Sequence, residues 1–168
     1  TIHLYEASDW PLIVSARKLW SSGRRGGMPG EEVVALAREM FANSDRALTR
    51  SDLFDVIPQT YVDEISDHPG AGNNPIRFAA TRLVWVLSEE GEIAFDAKVG
   101  NEQSYVHRSL SHPDLEWNEI DPEEACKEAT RRYLSAFGPA TPRDVAHYLG
   151  SKVSDAKRWM KAMDDEFE

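Results

Sequence analysis

The hydrophobic pattern changes its period at Gly91, and this change limits the possible fold more than any other feature of the chain. Apolar side chains recur at helical spacing over 76–90, and glycine is a residue at which helices commonly end. Apolar and polar residues then alternate over 93–99, a turn follows at 100–101, and a second strand pattern covers 104–108. The sequence therefore predicts a long helix followed by a β-hairpin.

The residues before this helix predict two more helices. An amphipathic pattern covers 31–42. Thr49 and Asp52 have the spacing of a helix cap, and the short helix that they open is expected to stop by Pro58. The polar segment 59–74 is predicted to be mostly loop. Helix, short helix, helix and hairpin, in this order, are typical of a winged helix-turn-helix.

The C-terminal part of the chain repeats the order of three helices. Asp121 and Pro122 mark the start of the first, and Thr141 with Asp144 repeats the Thr-x-x-Asp spacing at the second. Ser154 is the expected cap of the third. The inward-facing residues are predicted to be Ala125, Cys126, Ala129, Tyr133 and Phe137 on the first helix, and Ala156, Trp159, Met160 and Met163 on the third.

These patterns predict a mainly α fold with small β wings, organised as a tandem winged helix-turn-helix. Residues 1–22 are predicted to be a strand and a helix left from an upstream subdomain, with the strand over 1–5. Residues 29–112 form the first predicted winged helix, and residues 119–168 form the second, truncated before its wing. The glycine-rich segment 21–30 is predicted to be a linker. Both ends of the chain look cut.

The composition favours a soluble protein of a reducing compartment, with the cytoplasm as the expected location. Cys126 is the single cysteine, which excludes a disulfide framework and a cysteine-based zinc site. The five histidines lack the spacing of metal ligands on one helix face, so no metal and no cofactor are expected. No apolar run approaches the roughly 18 residues of a membrane span, so no membrane partner is expected. The net charge of −10 argues against unspecific binding to nucleic acid.

One segment departs from this acidic balance. Residues 151–162 carry four positive charges and one negative charge, a net of +3. The third helix of a helix-turn-helix enters the major groove, so its cations are predicted to contact double-stranded DNA. The alternative is an ordinary solvated helix face. The four cations are Lys152, Lys157, Arg158 and Lys161, and the acid is Asp155.

The corresponding helix and hairpin of the first predicted winged helix offer a second set of candidate DNA contacts. Asparagine and arginine suit bidentate contacts to bases and phosphates. Acidic residues on both sides favour the alternative, a structural winged helix packed against its neighbours. The candidates are Asn74, Arg77 and Arg82 on the helix, Lys98 and Arg108 on the hairpin, and Arg24 and Arg25 in the linker.

Residues 131–146, RRYLSAFGPATPRDVA, resemble the signature of a bacterial winged-helix DNA-binding family. In that family a helix ends in a YL-x-x-[YF]-GPAT stretch before the short second helix. The opening Thr1-Ile2-His3-Leu4 is similar to the family's RGT-[LI]-HL strand. The family includes alkylpurine and interstrand-crosslink DNA glycosylases built from tandem winged helices.

The resemblance implies DNA binding in a DNA-repair context and, for an enzymatic member, hydrolysis of the N-glycosidic bond to an alkylated purine. Water would attack C1′ as the base leaves, and polar side chains would stabilise an oxocarbenium-like sugar. The family's Gln-x-Gln or Gln-x-Asp catalytic motif lies before the segment where this chain begins. The glutamines here, Gln59 and Gln103, are far apart, so no catalytic residue is assigned.

An alternative comes from another functional class. The net charge of −10 favours a non-catalytic winged helix that acts in protein–protein interaction or regulation. The basic segment 151–162 favours DNA, and DNA binding would place the protein at the nucleoid. The sequence leaves the oligomeric state open.

Overall fold

The computed structural model describes residues 6–20, with only the backbone at residue 20, and residues 27–163. They form two compact units: the terminal unit joins 6–20 to 116–163, and the central unit is 27–115. The fold is mainly α with a small antiparallel sheet, which confirms that part of the predicted fold class. The helices are α1 (Trp10–Trp20), α2 (Glu31–Ala42), α3 (Gln59–Ile65), α4 (Pro75–Glu89), α5 (Arg108–Ser111), α6 (Pro122–Phe137), α7 (Pro142–Leu149) and α8 (Val153–Lys161), and the strands are β1 (Leu48–Thr49), β2 (Ile93–Val99) and β3 (Glu102–His107).

The long helix α4 lies at the centre of the core of the central unit. It begins at Pro75 because the Asn74 side chain accepts a hydrogen bond from the Arg77 amide and proline suits the first turn. Leu83 and Leu87, one turn apart, are completely buried against residues of α2, α3 and the sheet. Burying a leucine side chain contributes roughly 1.5–3 kcal/mol, so this stripe fixes the position of α4.

The sheet of the central unit has the strand order β1-β3-β2, and both pairs are antiparallel. Tyr105 of β3 lies opposite Leu48 of β1 on one side and opposite Phe95 of β2 on the other. Ile93 is buried at the start of β2, whereas the residues from 95 to 101 are exposed. The β2–β3 hairpin is therefore anchored at its base and exposed at its tip.

The terminal unit packs α1 against α6, with α7 and α8 completing its core. The Cys126 thiol lies 3.6 Å from the carbonyl oxygen of Ala16, so the one cysteine is buried between α6 and α1. Trp159 and Met163 of the C-terminal helix region are 1% and 2% exposed, as predicted from their spacing. The segment 1–22, assigned by its sequence to an upstream subdomain, contributes α1 to this unit.

The prediction of a loop over 59–74 is wrong for the first half of this segment, where the helix α3 forms. Pro58 precedes this helix, and Tyr61, Val62 and Ile65 bury one face of it against the central core. The helix has only seven residues and no side-chain cap, so burial in the core stabilises a segment whose local sequence signals are weak.

Two details of the terminal unit also differ from the sequence prediction. Helical spacing predicts Phe137 on the inward stripe of α6, but its side chain is 63% exposed because it lies in the last turn, beyond the core. The sequence predicts Ser154 as the cap of α8, but the helix begins at Val153 and its N-cap position is Lys152, which supplies no side-chain hydrogen bond. The other predicted starts, Asp121 for α6 and Thr141 for α7, are confirmed by their hydrogen bonds.

The two Thr-x-x-Asp segments have nearly the same local geometry. The Thr49 hydroxyl donates to the Asp52 carboxylate at 2.6 Å and its amide at 2.7 Å, and the distances from Thr141 to Asp144 are 2.6 and 2.8 Å. The second segment opens α7, whereas the first opens only a 3₁₀ turn at Asp52–Asp55. Pro58 explains the difference, because the residue before a proline avoids the helical conformation.

The predicted strand 1–5, Arg24 and Arg25 of the linker, and residues 164–168 at the C-terminal end lie outside the described residues. Among the helices of the described ranges, none has both the length and the apolar character needed to cross a membrane.

Candidate nucleic-acid interface

The helix α8 presents two lysines to solvent while its opposite face is buried. Ala156 and Trp159 bury the inner face, and Lys157 and Lys161, four residues apart, therefore lie together on the outer face. Both lysines are exposed, and neither makes an ion pair with another residue of the part of the chain that the structure describes. Their charges are thus available to an anionic partner.

Arg158, the third predicted cation of α8, is held by carboxylates of its own unit. Its Nε and Nη2 atoms donate to the two carboxylate oxygens of Glu123 at 3.0 and 2.9 Å, and Nη1 lies 3.2 Å from Asp155. The Trp159 indole N–H donates to the same Glu123 carboxylate at 2.9 Å. The hydrogen bonds from Arg158 outweigh the opposing effect of burial, and with that from Trp159 they lower the pKa of Glu123. Arg158 therefore fastens α8 to α6.

Lys152, the fourth predicted cation, stands at the start of α8. Its carbonyl oxygen accepts the amides of Asp155 and Ala156, so the backbone is fixed by the first helical turn. Its side chain is exposed. Lys152, Lys157 and Lys161 are consequently the exposed cations of this helix region that make no ion pair within the described residues, whereas Arg158 is exposed but paired.

The three candidates on α4 and at its N-cap differ in the contacts that their side chains make. The Asn74 side-chain oxygen caps the helix at 3.0 Å from the Arg77 amide, which leaves its NH₂ group as the outward donor. The Arg77 side chain is 48% exposed. Arg82 lies with its guanidinium carbon 4.6 Å from the centre of the Phe78 ring, a cation–π contact on the surface of α4 itself.

The two hairpin candidates lie at opposite ends of the hairpin. Lys98 is exposed near the tip of β2. Arg108, directly after β3, donates to the Gly91 carbonyl oxygen at 3.3 Å and lies 3.4 Å from the Glu92 carboxylate. Glu92 also lies 3.5 Å from His107. Arg108 therefore joins the end of α4 to the base of the hairpin, where its charge is partly neutralised.

Sequence reasoning missed a cluster around Glu102, the first residue of β3. The Ser51 hydroxyl donates to one carboxylate oxygen of Glu102 at 2.7 Å. Arg50 Nε and Arg77 Nη1 lie 3.7 and 3.9 Å from the other oxygen. Arg50 and Ser51 are the two inner residues of the first Thr-x-x-Asp segment. That motif indicated a helix start, but spacing gave no sign of the contact to a residue about fifty positions away.

The described residues contain no group of three or more histidine, cysteine, aspartate or glutamate side chains arranged to hold a metal ion. The charged clusters that they do contain are ion pairs, mainly between acids and arginines, which suit anion recognition and the fastening of helices.

The sequence matches the family described as DNA glycosylase AlkZ-like over residues 1–168. The solved structure of Streptomyces sahachiroi DNA glycosylase AlkZ is similar in fold, with a TM-score of 0.70 at 20% sequence identity. That match covers 99% of this chain and 46% of the other, so the chain spans about half the length of that structure. No curated protein gives a significant match. Because the family match extends over the whole sequence, the chain belongs to the AlkZ-like family of DNA glycosylases.

Proposed function

We propose that the chain is the DNA-binding part of a DNA-repair glycosylase and that it contacts double-stranded DNA through winged helices. The first winged helix would cover residues 29–112 and the second 119–168. The segment 1–22 would be the remnant of an upstream subdomain, with its helix α1 packed in the same compact unit as the second winged helix. The element order of the central unit, with α4 followed by the β2–β3 hairpin, supports the first assignment. The similar Thr-x-x-Asp geometry in the two units supports the repeat. The compartment would be the cytoplasm, at the nucleoid.

The basic outer face of α8 is the observation that carries this proposal. Lys157 and Lys161 extend from a helix whose inner face is fixed by Trp159 and by the Glu123–Arg158 ion pair. A helix held in this way can place cations on DNA phosphates with little loss of conformational freedom. Lys152 adds a third positive charge at the start of the helix. In the central unit, Asn74, Arg77, Arg82, Lys98 and Arg108 remain proposed contacts.

For the reaction, we propose hydrolysis of the N-glycosidic bond between a sugar and an alkylated base by the whole protein. Water would attack C1′, the base would leave, and polar groups would stabilise the positive charge that develops on the sugar. The family membership supports this chemistry. No residue of this chain is assigned to the chemical step. The proposed role of the chain in the reaction is to hold the DNA.

A charge-reversal series tests the DNA contact. Fluorescence anisotropy with a labelled duplex would compare the wild-type chain with Lys157→Glu and with Lys18→Glu, which makes the same change on the exposed surface of α1. We expect Lys157→Glu to weaken binding by about tenfold and Lys18→Glu by less than about twofold. Equal losses in the two variants would show that only the net charge matters and would contradict a contact at α8.

A second candidate is a protein–protein interaction module, favoured by one surface feature of the terminal unit. Tyr133, Phe137 and Tyr148 group their rings at the ends of α6 and α7, with centroids 4.5 to 6.4 Å apart, and the Phe137 ring is largely exposed. Exposed aromatic groups are enriched at protein interfaces. Absence of duplex binding by the wild-type chain at low salt would favour this candidate over DNA binding.

A further inference from the structure

The carboxylate of Glu102 lies among three donors, and two of them are too distant for hydrogen bonds. The Ser51 hydroxyl donates to Oε2 at 2.7 Å, but Arg50 Nε and Arg77 Nη1 are 3.7 and 3.9 Å from Oε1. Charge-assisted hydrogen bonds between guanidinium and carboxylate groups are normally 2.7–2.9 Å long. The two arginines are therefore attracted to Glu102 without being bonded to it.

Burial makes this loose geometry unusual. Arg50 Nε and Glu102 Oε1 are both buried atoms, and neither has a hydrogen-bond partner among the described residues. A buried polar atom without a partner costs free energy, and such atoms are rare in native structures, so each of them calls for an explanation such as a ligand that is bound there. A carboxylate selected for stability alone would be expected to close these distances.

Three different elements meet at this point. Arg50 and Ser51 are held in a tight turn by the bonds between Thr49 and Asp52. Arg77 lies in the first turn of α4, and Glu102 opens β3 just after the hairpin turn. The donor side chains are thus held by two separate elements, the Thr49–Asp52 turn and the first turn of α4, and the carboxylate belongs to the β2–β3 hairpin.

We propose that Arg50, Ser51 and Arg77 form a binding site for a nucleic-acid phosphodiester, and that Glu102 occupies this site until the phosphate replaces its carboxylate. Guanidinium groups and hydroxyls bind carboxylates and phosphates by the same donor geometry. A phosphodiester group is larger than a carboxylate, so it can reach donors that Glu102 leaves unbonded. Arg77 is half exposed, which gives the ligand an open side. The proposal rests on the proposed DNA binding and adds Arg50 and Ser51 to the contacts.

The test is a double-mutant cycle on duplex binding, measured by fluorescence anisotropy at fixed salt. Glu102→Gln removes the competing charge, and its amide oxygen can still accept the Ser51 hydrogen bond. We expect a gain in affinity of about three- to tenfold. Asp96→Asn removes the same charge from an exposed position on the same hairpin and should change affinity by less than about twofold. In a chain that carries Arg50→Gln and Arg77→Gln, the added Glu102→Gln change should give no gain.

Each outcome has one interpretation. An equal gain from Asp96→Asn and Glu102→Gln, or a gain that persists without the two arginines, would overturn the phosphate site while leaving DNA binding intact. Unchanged affinity in Glu102→Gln, with a wild-type chain that does bind the duplex, would overturn it in the same way. If neither the wild-type chain nor Glu102→Gln binds the duplex at low salt, the proposed function fails and this site fails with it. Circular dichroism spectra would check that all variants are folded.

Discussion

Glu123 joins the first turn of α6 to α8 through three hydrogen bonds, two from Arg158 and one from the Trp159 indole. Trp159 is almost completely buried, and its indole N–H is hydrogen-bonded to this carboxylate. The position of Lys157 and Lys161 on the proposed DNA face therefore depends on a residue that does not itself face the DNA.

We expect Glu123→Ala to lower the free energy of unfolding by about 1–3 kcal/mol, because the Trp159 N–H loses its partner and Arg158 keeps only Asp155. The neighbouring carboxylate gives a matched control. Glu124 is more exposed and pairs only with Lys127 in the structure as described, so Glu124→Ala should cost less than about 0.5 kcal/mol. Urea unfolding followed by circular dichroism measures both, and equal losses would contradict the anchoring role.

Among the carboxyl groups of the described residues, that of Asp52 has the most strongly lowered pKa. Partial burial by itself raises the pKa of Asp52, but hydrogen bonds from Arg46 and Thr49 outweigh it and lower that pKa to about 2. An unfolded chain has an aspartate pKa of about 3.9. The ionised carboxylate thus stabilises the fold at neutral pH, and this contribution is lost as the pH falls from about 4 to about 2.

A carboxyl titration by nuclear magnetic resonance should give a pKa near 2 for Asp52. The difference in free energy of unfolding between the wild type and Asp52→Asn should shrink as the pH falls through the same range. Asp55→Asn changes an exposed acid at the end of the same turn and should leave stability nearly unchanged. A stability difference for Asp52→Asn that does not depend on pH would show that the charge of Asp52 is not what stabilises the turn.

At the scale of single residues, the sequence predicts which side chains are buried or exposed but not which distant residues they contact. The outward direction of Lys157 and the burial of Trp159 follow from helical periodicity, because the inner face of α8 is apolar. The hydrogen bond between Arg158 and Glu123, 35 positions apart, cannot be predicted from hydrophobic periodicity, and the same holds for the contact of Arg108 with Glu92. Periodicity predicts which face a side chain occupies but not the distant partner that meets it.

Among the elements, α3 shows how tertiary packing replaces missing local signals. The Tyr61 ring is buried in the central core, and its hydroxyl donates to the Gly27 carbonyl oxygen at 3.0 Å. Burial raises the pKa of the Tyr61 phenol to about 12, with Glu64 adding to the rise and Arg82 opposing it. The folded pKa of Tyr61 lies above the unfolded value of about 10. The contribution of the neutral phenol to the free energy of unfolding is therefore complete below pH 10 and is lost as the pH rises from about 10 to about 12.

Tyr61→Phe keeps the ring and removes the hydroxyl, so we expect it to lower the free energy of unfolding by about 1 kcal/mol at pH 7. The variant should also lose less stability than the wild type between pH 10 and 12. Tyr133→Phe removes a hydroxyl that has no hydrogen bond within the described ranges and should change stability by less than about 0.5 kcal/mol. Chemical unfolding followed by circular dichroism decides this, and an equal effect of the two variants would contradict the anchoring of α3 by Tyr61.

Most helix bounds were predictable from the sequence where caps and apolar stripes coincide. The Asn74–Pro75, Asp121–Pro122 and Thr141–Pro142 starts each combine a capping side chain with a proline in the first turn, and each opens a helix. The prediction was wrong at α3 and at the Ser154 cap, where these signals are absent or shifted. The two-residue strand β1 was not predicted, because it exists only through its pairing with β3.

At the scale of the whole molecule, the acidic charge and the proposed DNA binding are compatible because the charges are distributed unevenly. The net charge is −10, yet Lys157 and Lys161 stand on a helix whose arginine is already neutralised by Glu123 and Asp155. Family membership covers all 168 residues, whereas the matched structure is about twice as long. The sequence alone predicted the family from residues 131–146, but it could not reveal the Glu102 cluster, which depends on three elements meeting in space.

The salt dependence of duplex binding tests the central claim most directly. For contacts to phosphates, the logarithm of the binding constant falls linearly with the logarithm of salt concentration, by about 0.9 for each phosphate neutralised. We predict a clear negative slope for the wild-type chain and a slope smaller by roughly 2 for Lys157→Glu combined with Lys161→Glu. No binding at low salt, or an unchanged slope in the double variant, would contradict the assignment of α8 as the DNA-contacting face.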